Sequence, residues 1–216
     1  MLDRFTWFKQ SAFRYDGDGI TVYFDAWGIP DDAPPADVLF VSHGHFDHFD
    51  RDDLARIRSD ATTIVCPRDL AAELSGNVIA VAPGDDVDVS GIKGQAVPAY
   101  NIAADRLDFH PKSNGWVGYV LTLDGFTVYH AGDTDHTSDL SSIRADAALL
   151  PIGGHYTMDA DEAAGLVHEI RPGTAVPMHY GFLEDTAPAS ASDRFRAAAE
   201  PTEVHVFDPV NPFEHT

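Results

Sequence analysis

Short apolar runs recur along the chain, and polar segments containing Gly, Pro and Asp separate them. β-Branched and aromatic residues are frequent in these runs, which favours strands over helices. Ten runs predict strands, at residues 19–24, 37–41, 62–65, 78–82, 91–97, 118–122, 126–129, 147–150, 174–177 and 204–207.

Four other segments have helix-like spacing of apolar residues and predict helices at residues 51–58, 68–74, 159–170 and 190–199. Several of them begin with Asp or Ser and end near Gly or Pro, as helices commonly do. No internal repeat and no low-complexity linker divides the 216 residues. We therefore predict one β-rich α/β domain over residues 1–216, with sheets covered by helices.

The charge balance is strongly acidic, with 14 Lys and Arg against 35 Asp and Glu and a formal net charge of -21. Such a surface repels itself at ordinary ionic strength, and concentrated salt screens that repulsion. The composition predicts a halophilic source, and an ordinary acidic cytoplasmic protein is the alternative. Nucleic acid and anionic membranes are disfavoured as partners, because Lys and Arg normally drive phosphate binding.

No stretch approaches the ~20 apolar residues of a membrane span, and the first residues lack the basic and apolar regions of a signal peptide. We therefore expect a cytoplasmic protein without a membrane partner. The single cysteine, Cys66, cannot form an internal disulfide or build a thiolate metal cluster. Any metal must be held by His and carboxylate side chains.

Three histidines and one aspartate fall within six residues directly after the predicted strand 37–41, in the sequence HGHFDH at 43–48. In an extended segment His43 and His45 point to the same side, and a turn at 44–47 brings Asp47 and His48 beside them. Nitrogen and oxygen ligands without thiolate suit Zn²⁺, Mn²⁺, Fe or Ni, and two ions ~3.5–4 Å apart are typical of dinuclear hydrolases. A solvated His-rich turn is the alternative.

This motif resembles the first metal motif of the metallo-β-lactamase fold superfamily, His-x-His-x-Asp-His, at every fixed position. Three further segments strengthen the resemblance: VYHAGDT at 128–134, LPIGGHYTM at 150–158 and PMHYG at 177–181. They are similar to the uncharacterised branch described as metal-dependent hydrolases. The resemblance implies an αββα four-layer sandwich, with metals in a groove at one edge of the paired sheets.

The resemblance also implies two divalent ions, most simply Zn²⁺. It assigns His43 and His45 to the first metal, Asp47, His48 and His179 to the second, and Asp133 to a bridging position. The predicted strands support this assignment, because Asp133 lies in a turn just after residues 126–129 and His179 follows residues 174–177.

One position departs from the superfamily pattern, which has a further histidine where this chain has Asn101. The next histidine is His110, nine residues on. We expect His110 to complete the first metal site, with Asn101 supporting a ligand or binding weakly itself. The alternative is that His110 is a polar loop residue at the mouth of the site and that the first metal binds weakly.

Other polar residues have less definite roles. His155 follows two glycines in a loop expected to face the groove, which predicts substrate contact or acid–base catalysis. His130 either supports a ligand through a hydrogen bond or is an ordinary buried histidine. Arg106 and Lys112 either contact an anionic substrate group or are solvated loop residues.

The expected function is hydrolysis by a metal-bound hydroxide, with Asp47 orienting it as well as binding metal. No Gly-x-Ser-x-Gly motif is present, and Cys66 has the context of a core residue. Paired cations favour anionic transition states. We therefore expect a small-molecule substrate that is an anionic ester, such as a phosphodiester. The alternative is a metal-binding sensor or redox protein of the same fold without hydrolytic turnover.

Overall fold

The computed structural model describes residues 1–181 and 190–212. Two β-sheets face each other. The first sheet contains, in spatial order, β1 Phe5–Lys9, β2 Ala12–Asp16, β3 Thr21–Phe24, β4 Val38–Phe40, β5 Thr63–Pro67 and β6 Val78–Val81. Strands β1 to β3 are antiparallel, and β3 to β6 are parallel.

Over the described residues, the second sheet has seven strands in the order β13-β12-β11-β10-β9-β8-β7. Their bounds are β7 Asp86–Val89, β8 Ile92–Pro98, β9 Val117–Leu123, β10 Phe126–His130, β11 Ala147–Pro151, β12 Thr174–Met178 and β13 Glu203–Val204. Strands β7 to β10 pair antiparallel, and β10 to β13 pair parallel.

Within the described residues, four helices cover the sheets: α1 Arg51–Ile57, α2 Arg68–Ala71, α3 Ala160–Ile170 and α4 Ala191–Ala198. The side chain of Asp159 accepts hydrogen bonds from the backbone N–H groups of Asp161 and Glu162, which fixes the start of α3. The part of the chain that the structure describes also has three short 3₁₀ helices, at Leu2–Arg4, Lys112–Asn114 and Ser138–Leu140. No helix in the two described ranges combines the length and apolar character needed to cross a membrane.

Alternation along the strands divides the apolar side chains between two clusters. In β4, Val38 and Phe40 belong to the cluster between the sheets, whereas Leu39 packs with the α1 residues Leu54 and Ile57. Strand β11 is buried at every residue, as expected for a strand covered on both faces. The predicted αββα four-layer sandwich is confirmed.

All ten predicted strands have counterparts, but their ends differ and three strands were not predicted, namely β1, β2 and β7. Strand β7 is only four residues long, and two of those residues are aspartates on its exposed face, so its apolar pattern is weak. The predicted helix 68–74 is shorter, since α2 ends at Ala71. The predicted strand 204–207 is reduced to β13, so His205 lies outside the strand.

The topology brings several loops to one edge of the sandwich. Strands β3, β4 and β5 are parallel, so their carboxyl ends lie at the same edge of the first sheet. Strands β8, β10, β11 and β12 also run in one direction. The metal-capable residues predicted above follow β4, β8, β10 and β12, which explains why they converge.

Candidate metal centre

The loop after β4 is held at both ends. The carbonyl of His45 accepts hydrogen bonds from the backbone N–H groups of His48, at 3.0 Å, and Phe49, at 2.9 Å. The Asp50 side chain then caps α1 by accepting from two backbone N–H groups, each at 2.9 Å. This compact turn, closed by a helix N-terminus, places all four polar side chains of the HGHFDH motif on one side.

The structure gathers the predicted residues into overlapping sets of metal-capable atoms. Within the described residues, the donor atoms of each set lie within 4.8 Å of one another. We call His43, His45 and His110 the first donor group, and Asp47, His48 and His179 the second donor group. A third set, His43, His48 and Asp133, lies between them.

Asp133 occupies the position between the two groups. Its Oδ2 atom is 3.2 Å from Nε2 of His48, 3.2 Å from Nε2 of His110 and 3.1 Å from Nε2 of His179. The preceding Gly132 has a φ of 61°, and a Cβ atom there would be only 2.9 Å from the Cβ atom of Ser42. Only glycine fits this turn, which aims the Asp133 carboxylate inward.

The donor set fits divalent cations. His48 Nε2, His110 Nε2 and Asp133 Oδ1 are fully buried and have no hydrogen-bond partner within the described ranges. An unsatisfied buried polar group costs about 1–3 kcal/mol of stability. Three such atoms close together therefore require an explanation. Cations held by imidazole nitrogen and carboxylate oxygen would satisfy all three atoms.

The two donor groups differ in electrostatics. Burial lowers the pKa of His43 well below its ordinary value and also lowers that of His45. Burial acts in the same direction on His179, but the carboxylates of Asp133 and Asp47 outweigh it and raise its pKa to about 9. The second group therefore favours positive charge, which a proton or a metal cation can supply.

In each donor group, the Nδ1 atom of one histidine lies within hydrogen-bond distance of a side-chain oxygen outside the group. His48 Nδ1 is 2.7 Å from Oδ2 of the fully buried Asp25, which also accepts from the backbone N–H and hydroxyl of Ser42. His110 Nδ1 is 2.8 Å from Oδ1 of Asn101. The structure thus brings His110 to the first donor group and places Asn101 behind it.

Gln10 is part of this centre and was not predicted. It lies in the turn between β1 and β2 with a φ of 49°, which is uncommon for a residue other than glycine. Its Nε2 atom is 3.4 Å from Oδ2 of Asp47 and 3.3 Å from Nε2 of His179. Its Oε1 atom is buried and has no hydrogen-bond partner among residues 1–181 and 190–212. The only signal in the sequence is a Gln-Ser pair between two segments rich in aromatic residues.

A cavity of about 240 Å³ opens over the centre. Its lining residues are Gln10, His45, Phe46, Asp47, Phe109, His110, Asp133, Tyr156 and His179. Neither Lys nor Arg is among them, so the positive charge in this cavity would have to come from bound cations or protonated histidines.

The remaining predicted residues lie around the centre. His155 is exposed and packs beside Phe109 and Tyr156, with ring centroids 5.9 and 4.4 Å away, and Tyr156 lines the cavity in its place. His130 is buried, with Nε2 2.8 Å from the carbonyl of Ser11 and its ring stacked on Phe24, as an ordinary buried histidine would be.

Neither of the two predicted cationic residues lines the cavity. Arg106 is buried and forms ion pairs with Asp135 and Glu162. Lys112 lies 2.8 Å from Asp139. The geometry therefore does not support contact between these two side chains and an anionic group of the substrate.

Comparison with known proteins agrees with this geometry. The beta-lactamase superfamily domain matches residues 4–179. A UPF0173 metal-dependent hydrolase of Anaeromyxobacter sp. (strain K) is 34% identical, over 96% of this chain and 85% of that protein. A protein of Parabacteroides distasonis ATCC 8503 of known crystal structure has a TM-score of 0.83 and 28% identity, over 95% of this chain and 92% of that one.

Igni18, a metallo hydrolase from the hyperthermophilic archaeon Ignicoccus hospitalis, has a TM-score of 0.78 and 25% identity, over 95% of this chain and 94% of that one. This chain belongs to the metallo-β-lactamase superfamily. The resemblance inferred from the HGHFDH motif is thereby confirmed, and so is the expected class of enzyme, a hydrolase.

Proposed function

We propose that this centre holds two divalent cations, both Zn²⁺, and that the enzyme hydrolyses a small anionic ester such as a phosphodiester. The observation that carries the proposal is the position of Asp133. One of its carboxylate oxygens lies 3.1–3.2 Å from an imidazole nitrogen in each donor group. A carboxylate placed in this way can bridge two cations and reduce their mutual repulsion.

In this assignment His43, His45 and His110 would hold the first cation, Asp47, His48 and His179 would hold the second, and Asp133 would contact both. When bound, such cations lower the pKa of water from ~15.7 to roughly 7 and stabilise charge that develops on the substrate. The chain needs no serine or cysteine nucleophile for this chemistry. Burial raises the pKa of Cys66 to about 12, so its thiol is inert.

Asp47 is suited to orient the attacking water. Burial raises the pKa of its carboxyl group, but the neighbouring His48 and His179 lower it well below its usual range. Asp47 therefore stays ionised at neutral pH and accepts hydrogen bonds. Gln10 Nε2, 3.4 Å from Oδ2 of Asp47, restrains the direction in which the carboxylate points.

The cavity favours a small ester with an apolar substituent. Phe46, Phe109 and Tyr156 line it, and Phe46 is 62% exposed. Because neither Lys nor Arg is among the described residues that line the cavity, the anionic group of a substrate would lie against the cations, and the aromatic rings would contact its organic part. His155 is exposed and packs beside Tyr156, and in this proposal it contacts a leaving group that extends out of the cavity. The acidic exterior disfavours long nucleic acids.

Metal analysis combined with a substrate panel tests this function. In ~1 M salt, where exposed charges are well screened, we expect the purified protein to bind two equivalents of Zn²⁺ and to hydrolyse bis(p-nitrophenyl) phosphate faster than the neutral lactone dihydrocoumarin. Asp47→Asn should lower kcat/KM by about 10²–10⁴-fold, the range for loss of a general base. Asp88→Asn, on the exposed face of β7, is the matched control and should leave it unchanged.

Binding of a single equivalent would contradict the dinuclear assignment. Two equivalents with faster lactone hydrolysis would contradict the anionic substrate class. Metal binding without hydrolysis of any ester in the panel would instead indicate a metal-binding or redox protein.

A further inference from the structure

The loop that carries His110 has little regular structure. Between the end of β8 and the 3₁₀ helix at Lys112–Asn114, the chain contains turns but no strand or α-helix. Backbone groups in such a loop need partners other than a helix or a sheet. One buried side chain supplies several of them. Asp135, only 1% exposed, follows the Gly-Asp-Thr turn after β10.

The Asp135 carboxylate accepts four hydrogen bonds from this loop. Oδ2 accepts from the backbone N–H groups of Ile102, at 2.7 Å, and Ala103, at 2.9 Å. Oδ1 accepts from Asn101 Nδ2, at 2.9 Å, and from Arg106 Nε, at 2.6 Å. The start of the loop is therefore ordered around a single carboxylate.

The buried charge of Asp135 is balanced. Arg106 is 6% exposed, and its Nη2 atom donates to both carboxylate oxygens of Glu162 at 2.7 Å. Because Glu162 belongs to the first turn of α3, the loop is tied to that helix. A buried carboxylate without such partners would be strongly destabilising, and the pairing with Arg106 holds the Asp135 side chain in place.

The hydrogen bonds of Asn101 determine which way its amide points. Nδ2 donates to two acceptors, Oδ1 of Asp135 at 2.9 Å and the carbonyl of Tyr156 at 3.0 Å. The NH₂ end must face these oxygens, and the amide oxygen must therefore face His110, whose Nδ1 is 2.8 Å away.

This orientation selects one tautomer of His110. An amide oxygen only accepts, so Nδ1 of His110 must carry the proton and donate it. In a neutral imidazole the other nitrogen then has a free lone pair. That atom, Nε2, is buried without a hydrogen-bond partner and lies 3.2 Å from Oδ2 of Asp133. If the Asn101 amide were reversed, the proton would move to Nε2 and His110 could not bind a cation through it.

We propose that Asp135 is a positioning residue which, through Asn101, fixes the tautomer of His110 and thereby sets the cation affinity of the first donor group. The inference rests on the proposed function, since it takes His43, His45 and His110 as cation ligands. It adds a residue that touches neither cation nor substrate. The role follows from the direction of each hydrogen bond in the series from Asp135 through Asn101 to His110.

Zn²⁺ titration with a competing chelator tests the inference on the full chain. Asp135→Asn should weaken binding at the first donor group by about 10–100-fold, the usual effect of losing a partner behind a metal-binding histidine. Binding at the second donor group should stay within twofold. Asp139→Asn is the matched control, because Asp139 pairs with Lys112 and Tyr100 of the same loop but not with Asn101.

A charge-swapped pair separates the tautomer effect from simple loss of structure. In Asn101→Asp/Asp135→Asn, the carboxylate at position 101 can still accept the proton of His110 Nδ1, and the amide at position 135 can donate to that carboxylate. The Tyr156 carbonyl loses its donor and Arg106 Nε loses an acceptor, so the double variant restores the partner of His110 but not the other contacts of the loop. We expect the double variant to bind Zn²⁺ at the first group at least tenfold more tightly than Asp135→Asn alone, in keeping with the 10–100-fold effect. Disruption of the loop alone would not be repaired by the second substitution.

Ring nitrogen NMR of the Zn²⁺-loaded wild type gives a readout that does not depend on variants. We expect His110 to bind through Nε2 with a proton on Nδ1. Coordination through Nδ1, or an unchanged first-group affinity in Asp135→Asn, would overturn the inference while leaving a two-metal enzyme intact. A wild-type protein with no cation at the first donor group would overturn both the inference and the dinuclear function.

Discussion

The two donor groups meet the same chemical requirement in different ways. In the second group, Asp25 contacts His48 directly, with 2.7 Å between Oδ2 and Nδ1. In the first group, the carboxylate of Asp135 acts on His110 through the amide of Asn101. A direct carboxylate increases the basicity of its histidine, whereas an amide fixes the orientation with less charge. The comparison teaches that an amide hydrogen bond of fixed direction can orient a metal-capable histidine that no carboxylate supports directly.

The groups also differ in the charge they present to a cation. The second group contains Asp47, and nearby carboxylates raise the pKa of both its histidines. Asp133, Asp25 and Asp47 act on His48, and Asp133 and Asp47 act on His179. The first group consists of three imidazoles, two of which have a pKa lowered by burial. Charge would therefore contribute more to holding a cation in the second group, and imidazole geometry would contribute more in the first.

Removing the shared residue should erase the difference between the groups. Asp133→Ala is expected to lower affinity for both cations by more than the 10–100-fold cost of losing a supporting partner, and to abolish hydrolysis. The fold should persist, because Asp133 lies just after the end of β10 and contributes no apolar packing. Metal analysis, circular dichroism and an ester assay would measure the three effects.

His48→Ala should likewise remove metal and activity, and Asp88→Ala on the surface should change neither. Full hydrolytic activity in metal-free Asp133→Ala protein would exclude the dinuclear mechanism.

Removing one ligand from each group should separate them. His110→Ala should leave the second group nearly intact and yield a protein with one cation, with first-group affinity reduced at least ~10–100-fold. His179→Ala should have the opposite selectivity. Asn101→Ala should weaken cation binding less than His110→Ala does, because it removes the hydrogen-bond partner of His110 and leaves His110 itself. If the His110→Ala protein still bound two cations with unchanged affinity at the first donor group, His110 would not be a ligand.

Salt should distinguish the acidic surface from the buried centre and is expected to have the smallest effect. Lowering the salt concentration from ~1 M to ~0.1 M lengthens the Debye length from roughly 3 to 10 Å, so repulsion among exposed carboxylates increases. Tm should fall by about 2–4 °C for each kcal/mol lost. Cation affinity should change less, because the charges of the centre are buried and paired with one another.

Calorimetry at the two salt concentrations measures this response. An unchanged Tm would contradict the prediction of a halophilic source.

Much of the fold and centre could be predicted from local sequence. The HGHFDH motif alone predicted that its four polar side chains lie close together, because a strand end followed by a tight turn leaves few arrangements for them. Strands such as β11 could be predicted because continuous burial requires a continuous apolar run. The short strand β7 could not, since only two of its four residues face the core.

Residues whose role depends on distant contacts were missed or only partly interpreted. Gln10 lies 37 residues from Asp47 and 169 from His179 in the chain, and no local pattern connects them. Asp135 has no distinctive sequence context apart from its place two residues after Asp133. The sequence left Arg106 as either a substrate contact or a solvated loop residue, and neither interpretation holds, because it is buried and pairs with Asp135 and Glu162.

The sequence by itself determined the superfamily, the layered fold and the identity of the metal-capable residues, because each depends on spacing between neighbours in the chain. Only the tertiary structure decided that His110 reaches the first donor group, that Asn101 faces it with its oxygen and that Asp135 sets this orientation. Those outcomes depend on the directions of hydrogen bonds between segments from three separate strand ends. Such directions are settled only when the segments pack together and every buried donor must find an acceptor.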